Sequence, residues 1–118
     1  MSGLMYPKEE KKKKRKMHPK SILHPDNGTC YLCILLHGDY RCHPVLQEHH
    51  IFGGPNRPIS EAYGLKAKLC LDHHLDGDEA VHQNAEIMEL MHREGQQAFE
   101  LTHSRTDFIR LFGRNYMD

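Results

Sequence analysis

The sequence predicts an α+β domain, two strands and two helices stapled by zinc, behind a disordered basic amino-terminal arm. Three observations carry that expectation. Two pairs of soft ligands, Cys30-x2-Cys33 and Cys70-x2-His73, stand at knuckle spacing. Residues 65–71 alternate, with Leu65, Ala67, Leu69 and Leu71 on one face and Lys66, Lys68 and Cys70 on the other, the period of a half-buried strand. Residues 79–102 carry Val81, Ala85, Met88, Gly95 and Phe99 along one helical stripe. At 118 residues, 38% hydrophobic and 27% charged, the chain is long enough for one domain with a thin core.

Composition narrows the function classes. The longest apolar run, residues 31–36, is far short of the roughly 20 residues a membrane span needs. No apolar stretch near the amino terminus resembles a secretory signal. A cytoplasmic, reducing location is therefore expected, where four cysteines read as metal ligands before they read as disulfides. Eleven histidines strengthen the metal reading. The zero net charge hides a division: residues 1–20 hold eight cations against two anions, and the remainder holds eight against fourteen. Residues 1–27 are read as a disordered arm that cannot repay its ordering entropy. Its Lys11, Lys12, Lys13, Lys14, Arg15 and Lys16 are candidate contacts to a polyanion such as a nucleic-acid backbone, acting by releasing counterions.

Along the domain, 28–118, Asn27-Gly28 is a turn signal and leads into the first knuckle. Residues 45–52 read as one strand, 53–58 as a Gly/Pro loop, and 65–71 as the second strand of an antiparallel pair. In the helix that follows, Gly95 costs about 1 kcal/mol against alanine, so a bend or break is expected there. A second helix starts near Ser104, capped through Asp107, packs Phe108, Ile109, Leu111 and Phe112, and stops at Gly113. The ββα core is placed at about 30–92 and a helical extension at 93–118.

The first ligand set, Cys30, Cys33, Cys70 and His73, supplies the four donors of a closed tetrahedral structural zinc site. Such a staple suits a domain of this size. Cys42 has no partner at knuckle spacing and reads as a packing or partly exposed thiol. The second set is His49 and His50 within Glu48-His49-His50-Ile51, with His74 and His82 further on. Adjacent strand residues point to opposite faces, so one histidine can hold metal while its neighbour faces another atom, such as water. That division suits metal-assisted hydrolysis. His18, His24, His37, His43, His92 and His103 lie outside any motif and read as surface residues.

Taken in order, Cys-x2-Cys, Glu-His-His-Ile-Phe-Gly-Gly and Leu-Cys-x2-His-His resemble the HNH endonucleases with a ββα-metal core, in particular the small phage-type members. The resemblance covers residues 30–84 and extends more loosely through 85–102 and the closing Phe-Gly-Arg-Asn-Tyr. It implies a metal-dependent endonuclease that hydrolyses DNA phosphodiester bonds, with His50 as the general base. It further implies that His49 and His74 hold one divalent ion (Mg2+, Mn2+, Ni2+ or Zn2+) besides the structural Zn2+, and that a backbone group orients the His50 ring. The implied partners are DNA, through mostly backbone contacts, and phage or host replication and recombination proteins, in a host cytoplasm. Two positions depart from the family pattern: His73 stands where most members have cysteine, and Tyr63-Gly64-Leu65 stands where the motif asparagine usually opens the second strand. Asn56 is the nearest asparagine and could brace the connecting loop.

The third ligand is open between two residues. On a continuous helix His74 and His82 would be roughly 12 Å apart along the axis, too far to share an ion. His82 serves only if residues 75–78 loop out and Asp78 caps a helix carrying His82 in its first turns; the runner-up is Asp78, at i+4 from His74. Asn84 either supports the site or is solvated. The alternative function is a non-catalytic zinc module that binds DNA or a protein partner. It would use the first ligand set and have no use for the second.

Overall fold

The computed structural model describes residues 18–117. Its elements run α1 (Tyr31–His37), β1 (Gln47–His50), a 3-10 turn (Gly54–Asn56), α2 (Arg57–Ala62), β2 (Lys66–Leu69), a π-helical turn (Asp72–Asp76), α3 (Ala85–Phe99) and α4 (Arg105–Phe112). This is a small α+β arrangement whose only sheet among the described residues is the antiparallel pair β1-β2. No helix among them is long and apolar enough to cross a membrane.

The register pairs His49 with Ala67 and His50 with Lys66. One face therefore carries His49, Leu65, Ala67 and Leu69, all buried in the core. The other carries Glu48, His50, Lys66 and Lys68. Both strands are shorter than their sequence patterns. Val45 is exposed, and the alternation fails after Leu69, where the chain turns so that Cys70 is buried and Leu71 is exposed instead. The demand that Cys70 enters the core with its ligand neighbours outweighs the period of two.

Two helices were not expected from the sequence. α1 follows directly from Cys30, whose sulfur accepts from the Cys33 amide at 3.4 Å and so caps the helix. α2 occupies much of the stretch between the strands, with Pro58 in its first turn, where a missing N–H costs nothing. Ser60 of α2 is fully buried and ties the strands: its hydroxyl accepts from Phe52 N at 3.0 Å and its carbonyl from Leu65 N at 2.8 Å. Asn56 does brace its loop, though outward, donating to Phe112 O at 3.4 Å.

The helix expected over 79–102 is shorter, and Asp78 does not cap it. Asn84 does, its side chain accepting from Glu86 N and Ile87 N, while residues 77–84 turn back on the π-helical segment. Gly77 permits that turn: a Cβ there would lie 2.5 Å from Asp72 O, the carbonyl its own amide bonds. α4 is as expected, with Ser104 accepting from Asp107 N and Gly113 closing it, except that Ile109 points outward. Gln96 is fully buried yet satisfied, donating to Glu100 and Asn115 and accepting from Tyr116 N, which pins the carboxy-terminal segment to α3.

Residues 18–27, read from the sequence as part of the arm, pack along the edge of the sheet. Ile22 N donates to Gly64 O at 2.9 Å, Ser21 Oγ donates to Lys66 O, and His24 is buried against Thr29. The folded unit thus begins before residue 28. Lys11, Lys12, Lys13, Lys14, Arg15 and Lys16 lie outside the described residues.

Gly95 does not break α3, which runs unbroken through it. It is the point where the helix meets the strand end: a Cβ would come within 2.7 Å of Ile51 Cγ2 and 3.1 Å of Phe52. Ile51 is β-branched and cannot swing clear. Gly95→Ala should therefore destabilise by about 1–3 kcal/mol through overpacking, despite its better helix propensity. Urea unfolding of the variant measures this, and a rise in stability would refute the close approach.

Candidate metal centre and histidine cleft

Cys30, Cys33, Cys70 and His73 are all buried, and their ligand atoms lie within 4.8 Å of one another. His73 Nδ1 is 3.8, 3.4 and 3.4 Å from the sulfurs of Cys30, Cys33 and Cys70, and Cys33 Sγ is 3.8 Å from Cys70 Sγ. A tetrahedron with Zn–S near 2.3 Å and Zn–N near 2.0 Å has edges of about 3.8 Å between sulfurs and about 3.5 Å from sulfur to nitrogen. The cluster is therefore compatible with a structural zinc. Burial, with the neighbouring thiols adding to it, pushes the Cys33 thiol up, and burial likewise raises Cys70. Three thiols this close in a dry site ionise only against a cation, which a zinc ion supplies.

Surrounding groups hold the ligands. Glu79 faces the far nitrogen of His73, Nε2, at 3.4 Å and His37 Nε2 at 2.7 Å, an arrangement that fixes which nitrogen of His73 turns toward the sulfurs. The His37 contact, with His73 adding less, holds the Glu79 carboxyl below its ordinary range. His43 Nε2 lies 3.6 Å from Cys33 Sγ. Cys42 is exposed and stands apart from the cluster, its thiol turned to Asn27 O.

The π-helical turn carries both His73 and His74, and successive residues on it face different ways. His73 enters the sulfur cluster, while His74 joins His49 and His82, whose ligand atoms again lie within 4.8 Å of one another. His82 arrives because the chain loops out after the turn and folds back, Val81 N donating to His73 O at 2.8 Å and His82 N to His74 O at 3.4 Å. Of the two candidates for third member, His82 stands in the group. Asp78 instead offers its backbone carbonyl to Asn84 Nδ2 at 3.1 Å. His82 precedes α3 and is not in its first turns.

The trio could hold a divalent ion. His49 is buried, and its Nε2 has no hydrogen-bond partner, an orphaned nitrogen in a dry place. Burial first, then the neighbouring His74, His82, His50 and His92 rings, depress the His49 pKa to about 3, so the ring is neutral and keeps its lone pair. Burial, followed by His82, also lowers His74. Gln47 Oε1 accepts from His74 Nδ1 at 2.7 Å, leaving Nε2 of that ring as the donor to metal.

His50 belongs to the opposite face of β1, as the strand period requires. The group orienting it is a side chain and not the backbone group expected: Glu61 Oε1 lies 2.6 Å from His50 Nε2. Arg57 Nε approaches His50 Nδ1 at 3.3 Å. Lys66 Nζ and His18 Nδ1 hold Glu61 Oε2 at 2.9 and 2.8 Å. Lys66 first, then His18 and His50, bring the Glu61 pKa down to about 2. Both faces drain into one open cleft of about 380 Å³, bordered by His49, His50, Arg57, His74, His82 and His92.

Compared with known proteins, the chain matches no family model, no curated protein and no solved structure. Gln47, Arg57, Glu61 and Glu79 are the supporting residues that sequence reasoning missed. Arg57 and Glu61 sit on a helix with no periodic pattern long enough to announce it, and Gln47 and Glu79 act only through folded neighbours. Three histidines read as surface residues are not. His24 is buried, His43 is half-buried beside Cys33, and His92 stacks on Phe52 at 5.1 Å.

Cys30→Ser should bring bound zinc below about one per chain and lower the thermal midpoint by more than about 10 °C, since about 1 kcal/mol moves a domain of this size by about 4–8 °C. Zinc counting by atomic absorption with a thermal melt checks this. A variant of unchanged stability would remove the staple.

Proposed function

We propose that the protein is a metal-dependent endonuclease of the HNH type that hydrolyses DNA phosphodiester bonds. One observation carries the reading: two adjacent histidines of β1 border one cleft from different chemical settings. His49 lies among ligand-type nitrogens with an Nε2 that has no hydrogen-bond partner, and His50 lies between a carboxylate and a guanidinium. The motif order in the sequence and the sulfur cluster next door support the same reading. An arm rich in lysine would add affinity for any polyanion without regard to sequence.

On this reading His49, His74 and His82 hold the divalent ion. When bound, that ion supplies positive charge to the phosphate and to the departing oxygen. His50 takes the proton from the attacking water. The Arg57 guanidinium lies at the mouth of the cleft, where its fork of donors can meet a phosphate oxygen. Met88 and Ile51 add apolar atoms to the lining of the cleft.

Supercoiled plasmid cleavage across magnesium, manganese, nickel and zinc tests the proposal, using wild-type protein and His50→Ala with bound zinc counted in each. Removing a general base should slow cleavage by about 10²-fold or more, while the tightly held zinc stays. Absence of cleavage by wild type with every metal, zinc still bound, would favour a non-catalytic zinc module.

A further inference from the structure

The His50 ring is held at both nitrogens, and the two contacts agree on where its proton sits. Glu61 can only accept, so the 2.6 Å contact places the hydrogen on Nε2. Arg57 can only donate, so its approach at 3.3 Å requires a lone pair on Nδ1. A neutral imidazole carries one hydrogen, and each contact alone fixes the same tautomer. The carboxylate is itself clamped, since Lys66 and His18 occupy its second oxygen. Lys66 is buried and paired across the sheet with His50, so that half of the clamp is built on the strand pair.

Resting on the nuclease reading, we propose that Nδ1 of His50 is the atom that accepts the proton from water, and that Glu61 is the positioning residue that selects it. Arg57 marks the direction from which a donor reaches that atom. Its side chain is exposed, so a phosphodiester anion can draw it aside and leave the lone pair to a water O–H. In the reaction the water O–H bond breaks and its proton passes to Nδ1. The oxygen forms the new P–O bond. The bond from phosphorus to the departing ester oxygen breaks with its electron pair on that oxygen, which takes a proton from solvent. The ring, now an imidazolium, has the Glu61 carboxylate as its counter-charge until it releases the proton to solvent.

Glu61→Gln keeps the size of the side chain and removes the charge. It should lower kcat by about 10–100-fold and leave KM and zinc content near the wild-type values, while the thermal midpoint falls because buried Lys66 loses its counter-charge. Nitrogen-15 NMR of full-length protein labelled in histidine reads the tautomer without any substrate. The expected result is the Nε2–H form of His50 in wild type and its loss or mixing in Glu61→Gln. An Nδ1–H form in wild type would overturn the proposal whether or not the protein cleaves DNA. Unchanged kcat in Glu61→Gln would overturn it as well. An Nε2–H form in a protein that cleaves nothing would remove the nuclease reading and leave Glu61 as a structural anchor only.

Discussion

The four-ligand cluster of Cys30, Cys33, Cys70 and His73 is the constraint from which the remaining geometry follows. It joins the start of α1 to the end of β2 and to the π-helical turn, across more than thirty residues of chain. Because His74 follows His73 in that turn, anchoring one imidazole in the sulfur cluster orients the next toward β1. Val81 and His82 then bond back to the carbonyls of those same two residues. A staple in one place thereby sets the position of three separate histidines. In a domain with so thin a core, a divalent ion in the cluster would contribute stability that burial alone would struggle to supply.

The sheet separates two electrostatic environments that use the same residue type. On the buried face His49 meets other imidazoles and apolar atoms, and desolvation first, then those rings, lowers its pKa. On the other face His50 meets Glu61 and Arg57, with Lys66 and His18 on the far oxygen of that carboxylate, and these hydrogen bonds fix the ring. One residue of displacement along β1 separates a ring suited to bind a cation from a ring suited to handle a proton. On the nuclease reading, these would be two like groups given different roles by their surroundings.

Much of this was legible from spacing and period. The knuckles, the antiparallel pairing of two strands within residues 45–52 and 65–71, the Ser104 cap and the necessary loop between His74 and His82 all follow from rules that act within a few residues or along one element. What escaped detection depends on partners distant in sequence. α1 and α2 are too short for a period to show, and α2 begins in a stretch whose glycines and prolines signal a turn. Gly95 looked like a helix weakness because propensity is local, whereas its true neighbour, Ile51, lies over forty positions away. Glu61 was invisible for the same reason: nothing near it in the sequence says that helix and strand meet there.

Ligand number and softness divide the labour between the two clusters. Three thiols and one imidazole complete a tetrahedron and satisfy a borderline-soft ion, leaving no position for a fifth group. Three imidazoles cannot complete it. An ion held by His49, His74 and His82 would keep at least one coordination position, and His82, the exposed member, leaves the cleft side of the trio accessible. Neutral nitrogens also leave the full positive charge of such an ion uncompensated, unlike the sulfur cluster, where thiolates cancel it. With both occupied, the fold would hold one ion whose charge is cancelled where it ties the chain together and a neighbouring one whose charge would face an anion entering the cleft.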